Sequence, residues 1–251
     1  MGELHHIRRP EWAAKNRCRV CEPPEECPLV RLVDPGEPEL AHRCIFEAFG
    51  VGVDVLVDNS KKPSWATRFT PPTDCELRYV HLVRDPRALV RRWSVTYDTR
   101  KSRAHARWVT ARRLRSPAVL VGSQLGVYAA KWYHQNSLIT DFLGTRPPEH
   151  SIVATYRDLA LAPEDGVRRI AEWLDLEWEP GQLEYWNVEH HGSQKIEYEW
   201  VKEKHERFID LRWREFLSAE QQRDIVTGPR VGPYLEQLAL AAVDDGLTAS
   251  S

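Results

Sequence analysis

The sequence predicts an α/β fold that is built on a parallel sheet. Three short apolar runs, at residues 53–57, 79–83 and 151–155, have the length and composition of buried strands. Residues with helical spacing follow these runs, and strands that alternate with helices usually form a parallel sheet. A chain of 251 residues can bury a substantial core. We expect a single domain over residues 1–242 and a disordered tail over residues 243–251.

The composition is ordinary for a soluble protein. Hydrophobic residues make up 42% of the chain, charged residues 29%, and the net charge is −2. No apolar run is long enough to cross a membrane, and no signal-peptide pattern opens the chain. Residues 84–115 hold eleven Lys or Arg and only two acids, which is typical of a solvated helical face but would also attract an anionic substrate. We therefore expect a cytoplasmic protein with no membrane partner.

The region before the first strand is rich in cysteine and proline. Cys18, Cys21 and Cys27, with Cys44 or His42 as a fourth ligand, could bind a structural zinc ion. The spacing is irregular and no second Cys-x-x-Cys pair follows, which favours free or packed thiols.

The first predicted helix follows residues 34–36 and ends at Gly50. The strand at residues 53–57 then leads into the sequence Asp58-Asn59-Ser60-Lys61-Lys62-Pro63. Hydroxyl and ammonium donors would thus lie at the carboxyl end of a strand, where ligands of open α/β sheets bind. A plain turn with exposed lysines is the alternative interpretation.

The second strand leads directly into a helix through Arg84-Asp85-Pro86-Arg87. Asp85 suits the N-cap of that helix and Pro86 its first position, and Leu89, Trp93 and Tyr97 predict a buried stripe. Free backbone N–H groups, the helix dipole and the Arg84 guanidinium would converge at the helix N-terminus. This combination suits a phosphate or sulfate. Alternatively, Arg84 pairs with a nearby carboxylate.

The remaining elements complete the alternating pattern. A basic, exposed helix is expected near residues 101–115, and a long helix with one buried side over residues 123–143. The third strand is followed by a helix that Pro163 opens. Ser218 and Gln221 have the spacing of a capping box for one more helix, near residues 219–226.

Four of these motifs, in this order, resemble the landmarks of the sulfotransferase family, which uses 3′-phosphoadenosine 5′-phosphosulfate (PAPS). The landmarks are Asp58-Asn59-Ser60-Lys61-Lys62-Pro63, Val83-Arg84-Asp85-Pro86-Arg87-Ala88, Thr155-Tyr156-Arg157-Asp158-Leu159 with Ala162-Pro163, and Asp210-Leu211-Arg212-Trp213. The chain looks most similar to the bacterial and carbohydrate-type branches. The similarity covers roughly residues 2–238.

The resemblance implies a set of residues that bind the co-substrate. Arg84 matches the arginine that grips the 3′-phosphate, and Tyr156 matches a tyrosine near the adenine. The family usually has a serine eight residues after that arginine. Arg92 stands at this position and Ser94 lies two residues further on, so either could supply the second contact.

The resemblance also implies two catalytic residues. Lys61 matches a lysine that can neutralise the transferring sulfuryl group. Glu3 lies where some members place the carboxylate base that deprotonates the acceptor hydroxyl, and a neutral alcohol needs such a base to attack. No metal ion is expected.

One family feature is not found in the sequence. Members have a P-loop-NTPase-like parallel sheet flanked by helices, and it begins with a strand and a Gly-rich phosphate loop. Residues 121–126, Val-Gly-Ser-Gln-Leu-Gly, are the nearest imitation and lack the basic residue and the hydroxyl pair. We therefore expect an α/β fold that lacks its first strand and phosphate loop, as in an N-terminally truncated member.

These observations support a PAPS-dependent sulfotransferase that acts on a hydroxyl or amine of a small molecule or carbohydrate. The alternative is a non-catalytic remnant that binds a nucleotide or another anionic ligand through Arg84. A nucleic-acid-binding domain that uses residues 101–115 is less favoured, because Trp108 is the only aromatic residue among the cations. We therefore expect no nucleic-acid partner.

Overall fold

A computed structural model describes residues 75–184, 209–243 and 246–249, together with residues 63–67 and the single positions Glu22, Val55, Val57 and Asn187. The chain divides into two compact units, residues 1–77 with 184–206 and residues 78–183 with 207–251. In the first unit, the described residues include one short helix, α1 (Pro63–Ala66).

The second unit contains the other described helices and strands. Its elements in chain order are β1 (Tyr79–Val83), α2 (Pro86–Thr96), α3 (Arg100–Leu114), α4 (Ala118–Val121), α5 (Gln124–Leu143), β2 (Ser151–Thr155), α6 (Tyr156–Leu161), α7 (Pro163–Trp173), α8 (Trp213–Phe216), α9 (Ala219–Thr227), α10 (Val231–Gln237), β3 (Leu240–Val243) and β4 (Gly246–Ala249). Short 3-10 turns occupy Pro148–His150 and Pro180–Leu183.

The strands β1 and β2 are parallel neighbours, which confirms the α/β class. Their register runs from Tyr79 opposite Ser151 to Val83 opposite Thr155. Both strands therefore end at the same edge, where Arg84 follows β1 and Tyr156 follows β2. The strand predicted at residues 53–57 lies outside the described residues except at two positions. The missing first strand and phosphate loop stay a prediction.

The core of the second unit is organised around α5. Ser123 caps this helix by accepting a hydrogen bond from the Gly126 N–H at 3.1 Å. Its residues Tyr128 and Trp132 are completely buried, and it packs against α2, α3, α10 and β1. The Trp132 indole donates from Nε1 to the Arg84 carbonyl at 2.8 Å. The long central helix therefore fixes the backbone at the end of β1.

Helix α2 differs from the predicted pattern in which residues it buries. Leu89, Trp93 and Tyr97 pack against the core while only half buried. The deepest residues are instead in the first two turns, namely Pro86, Arg87, Ala88 and Val90. The reason is that the helix enters the core with its N-terminal end and carries its C-terminal end toward the surface, where Val95 is 53% exposed.

Helix α3 is the basic helix expected from the sequence, and most of its cations are exposed. Arg107 is an exception, because it donates to the carbonyls of Val119, Leu120 and Gly122 and so holds α4 in place. Within the part of the chain that the structure describes, no helix has the length and apolar character needed to cross a membrane.

Within the segment predicted to be a disordered tail, residues 243–251, the structure describes Val243 and residues 246–249. Strands β3 and β4 form an antiparallel hairpin, and residues 246–249 belong to the second of them. Leu247 is only 1% exposed and joins the main core. Burial of this leucine attaches the hairpin to the core of the second unit. The single domain predicted over residues 1–242 stays a prediction.

Candidate functional site

A small pocket opens where β1 and β2 end. Four stretches of the second unit line it: the β1–α2 junction, the start of α6, the segment that leads into α8, and the start of β4. The lining residues are Val83, Arg84, Asp85, Ala88, Tyr156, Arg157, Ile209, Asp210, Trp213, Gly246 and Leu247. The carboxyl edge of a parallel sheet is the usual place for a ligand in an α/β protein.

Arg84 is the central cation of this pocket. Its guanidinium carbon lies 5.0 Å from the centroid of the Tyr156 ring, a cation–π distance. One of its terminal nitrogens donates to the Asp210 carboxylate at 2.8 Å. Its Nε is buried and has no hydrogen-bond acceptor among the described residues. Arg84 is thus held in place while it keeps one donor that a ligand could satisfy.

The N-terminus of α2 is already capped by a local carboxylate. Asp85 accepts the Arg87 backbone N–H at 2.7 Å, which confirms the predicted N-cap. The same carboxylate pairs with the Arg87 guanidinium at 2.7 Å, and that guanidinium stacks on Trp213 at 3.9 Å. The sequence predicted an anion site on free N–H groups at this helix end. The Arg87 N–H is not free for an anion, because it already binds the Asp85 carboxylate. Arg87 serves the fold rather than a ligand.

Asp210 is a buried carboxylate between two arginines. Besides Arg84, it accepts from Arg212 Nε at 2.8 Å and from a terminal nitrogen of Arg212 at 3.0 Å. These hydrogen bonds from Arg212, followed by the charges of Arg212 and Arg84, lower the pKa of Asp210 against the opposing effect of burial. Asp210 is therefore ionised at neutral pH. The sequence left open whether Arg84 pairs with a nearby carboxylate. The structure shows that it does, with Asp210 as the partner.

Tyr156 and Arg157 begin α6 at the end of β2. Thr155 caps this helix by accepting the Asp158 N–H at 3.0 Å, so the Tyr156 ring projects from a fixed helix start. Arg157 approaches the Asp158 carboxylate at 3.7 Å. The structure thus brings together Arg84 and Tyr156, two residues that the sequence places 72 positions apart.

The two residues considered for the second phosphate contact lie away from the pocket lining. Arg92 is exposed on α2. Ser94 donates its hydroxyl to the Val90 carbonyl at 2.8 Å, one helical turn back. Neither is among the residues that line the pocket, and their contact with a phosphate stays a prediction.

The other sequence-based assignments fall outside the described residues. This holds for Glu3 and Lys61, and for the proposed zinc ligands Cys18, Cys21, Cys27, Cys44 and His42. Among the residues that are described, no group of three or more His, Cys, Asp or Glu is placed to hold a metal ion.

Sequence reasoning missed Asp210 and the C-terminal residues Gly246 and Leu247 as parts of this pocket. The segment Asp210-Leu211-Arg212-Trp213 resembles a family landmark, but nothing in its sequence indicates that Asp210 pairs with Arg84. Gly246 carries a weak signal, since a glycine after an acidic pair suggests a turn with positive φ, and its φ is indeed 124°.

A parallel strand pair with a stacked arginine at its carboxyl edge defines an α/β protein with a candidate anion site. Residues 75–180, which contain both Arg84 and Tyr156, match the model of the Sulfotransferase family. The resemblance to sulfotransferases is therefore confirmed, while the bacterial or carbohydrate-type branch stays a prediction. No curated protein matches the chain.

One solved structure is similar to the chain, the "Sulfotransferase Domain from the Curacin Biosynthetic Pathway". The two share 18% sequence identity with a TM-score of 0.48. The similarity covers 75% of this chain and 66% of that structure, so slightly less than two thirds of the solved structure is matched.

Proposed function

We propose that this protein is a sulfotransferase that uses PAPS as its sulfuryl donor. The observation that carries the proposal is Arg84, a cation at the carboxyl end of a parallel strand with a buried Nε that lacks an acceptor among the described residues. It lies within the segment that matches the Sulfotransferase family, whose members generally use PAPS. A phosphate oxygen would satisfy this donor.

The pocket residues fit the adenosine 3′-phosphate side of such a donor. Arg84 would bind the phosphate, and the Tyr156 ring would support the guanidinium and offer an edge to the base. The local charges favour an anion, because Arg84 and Arg212 share one carboxylate, Asp210. Arg87 and Asp85 cancel each other.

The chemistry at the other end of the donor would fall to residues outside the described part of the chain. We assign Lys61 to neutralise the transferring group and Glu3 to take the proton of the acceptor hydroxyl or amine. Arg92 or Ser94 would add a second phosphate contact. The acceptor would be a small molecule or carbohydrate. The cytoplasmic location and the lack of a metal requirement belong to the same proposal.

A second candidate function is non-catalytic binding of a nucleotide or another anionic ligand. The observation that favours it is the ion pair between Arg84 and Asp210, which gives the main cation of the pocket a partner without any ligand. Such a site could bind without turning over.

The experiment that tests the proposal offers PAPS labelled in the sulfuryl group to the full-length protein with a panel of alcohol and amine acceptors. Parallel titration calorimetry measures adenosine 3′,5′-bisphosphate, the product that remains after transfer. Label in an acceptor, together with bisphosphate binding, would support the sulfotransferase. Bisphosphate binding without transfer to any acceptor would favour the non-catalytic candidate, and absence of both would contradict the proposal.

A further inference from the structure

The C-terminal strand β4 forms one wall of the pocket that contains Arg84. Gly246 and Leu247 line this pocket together with Arg84 and Tyr156. Leu247 is 1% exposed, so the strand is seated in the core rather than resting on the surface. The strand lies beside α6 and β2, the two elements that position Tyr156.

Gly246 packs closely against its neighbours at the point where a side chain would begin. A Cβ atom built on this residue would lie 3.3 Å from Ile209 Cδ1, 3.5 Å from Arg157 Cδ and 3.7 Å from Asp85 Oδ2. The first distance is tighter than ordinary van der Waals contact, and the φ of 124° is one that other residues rarely adopt. Both the close contact and the backbone angle therefore favour glycine at this position of the pocket wall.

Two contacts hold the strand at this position. The Thr248 hydroxyl donates to the Asp158 carboxylate at 3.2 Å, which ties β4 to the helix that Tyr156 begins. On the other side β4 pairs with β3, where Val243 lies opposite Gly246. The Thr248 bond thus joins β4 to an element of the candidate site, and the pairing with β3 supports its other edge.

The pocket that β4 helps to form contains a hydrogen-bond donor without an acceptor among the described residues. The buried Nε of Arg84 has no acceptor among the described residues. A buried N–H without an acceptor is uncommon and is normally matched by water or a ligand. The close packing of the backbone at Gly246 and the unmatched donor of Arg84 are independent observations, and both residues line the same pocket.

We propose that β4 is part of the nucleotide site, with the Gly246 backbone as the wall that faces the 3′-phosphate side of a bound adenosine 3′,5′-bisphosphate. This inference rests on the proposed function, because it takes the same nucleotide as ligand. It adds the C-terminal strand, and Gly246 in particular, to the residues that determine binding.

Hydrogen exchange of the unmodified protein tests the inference without any risk of misfolding. Peptides that cover residues 246–249 are followed by mass spectrometry with and without saturating adenosine 3′,5′-bisphosphate. We expect the nucleotide to slow amide exchange in this strand in the wild type. Unchanged exchange at 246–249, in a protein that calorimetry shows to be saturated, would overturn the role of β4 and leave the proposed function standing.

A glycine substitution gives the second test. Gly246→Ala should weaken bisphosphate binding by about tenfold, which corresponds to roughly 1.4 kcal/mol. Gly181→Ala is the matched control, because no atom lies within 4 Å of a Cβ built there. Equal affinities of the two variants would contradict the inference. If the wild type itself bound no bisphosphate, the proposed function would fail and this inference with it.

Discussion

Arg84 and Asp210 are 126 residues apart in the sequence and form an ion pair of 2.8 Å at the end of β1. The Asp210 side chain is only 5% exposed, whereas that of Arg84 is 27% exposed. The carboxylate thus lies on the buried side of the arginine. An anion that binds Arg84 must share the guanidinium with Asp210 or displace it.

The first prediction concerns the charge of Asp210. In Asp210→Asn, Arg84 keeps its support on Tyr156 but loses a competing negative charge. We expect the affinity for adenosine 3′,5′-bisphosphate to rise several-fold in titration calorimetry, by about 1 kcal/mol, the low end of Coulomb energies between partly exposed charges. The control is Asp175→Asn, which breaks the surface ion pair with Arg78 at a left-handed position that asparagine tolerates. A loss of affinity in Asp210→Asn alone would instead show that the carboxylate positions Arg84.

The second prediction concerns acid stability and His81. This side chain is 2% exposed and hydrogen-bonds Asn136 at 3.1 Å. Burial lowers the pKa of His81 below its ordinary value of 6.5. The unfolded chain therefore binds the proton first, so the stability is full above pH 6.5 and falls as the pH drops below it.

Urea unfolding at a series of pH values checks this effect. The free energy of unfolding of the wild type should fall between pH 6.5 and the lowered pKa by up to about 1.4 kcal/mol per pH unit. His81→Gln should remove that part of the slope, whereas the exposed control His105→Gln should keep it. An unchanged slope in His81→Gln would contradict the assignment.

The third prediction concerns the ring under Arg84. Tyr156→Phe keeps an aromatic face and should retain most of the bisphosphate affinity. Tyr156→Leu should lose a further ~1 kcal/mol, the size of a partly buried cation–π contact. Titration calorimetry on the two variants separates the contribution of the aromatic ring to bisphosphate affinity from that of the hydroxyl. Equal affinities in the two variants would show that the ring does not support Arg84.

The fourth prediction concerns the support of the β1 end by α5. Trp132→Phe removes the indole N–H that binds the Arg84 carbonyl and leaves a gap in a fully buried site. We expect a loss of about 2–4 kcal/mol in the free energy of unfolding, from the orphaned carbonyl and the cavity together. Trp108→Phe, at a position that is 53% exposed, should change it by less than about 0.5 kcal/mol. Similar losses in the two variants would contradict this account of α5.

Local sequence patterns predicted the parts of this protein that depend on neighbours in the chain. The strands β1 and β2 stand out as short apolar runs, and the Asp85 cap and the Ser218–Gln221 capping box form as expected. Arg84 and Tyr156 lie close together because they follow two parallel strands that end at the same edge of the sheet.

Contacts between distant segments were not predictable in this way. Nothing near Asp210 in the sequence indicates that it lies against Arg84. The C-terminal hairpin is short, and its two leucines, Leu240 and Leu247, are buried in a core that other segments build. Helix α2 buries its first two turns more deeply than the stripe of Leu89, Trp93 and Tyr97. The surrounding core, and not the spacing of its apolar residues, sets the orientation of this helix.

The central claim is that Arg84 binds the 3′-phosphate of the nucleotide. A thermodynamic cycle tests it most directly, with adenosine 3′,5′-bisphosphate and adenosine 5′-monophosphate titrated into the wild type and Arg84→Gln. The wild type should prefer the bisphosphate by roughly 10- to 100-fold, as expected for charge-assisted hydrogen bonds of 1.5–3 kcal/mol. Arg84→Gln should lose nearly all of this preference, while Arg223→Gln, an exposed arginine on α9, should keep it. Full preference for the bisphosphate in Arg84→Gln would contradict the claim.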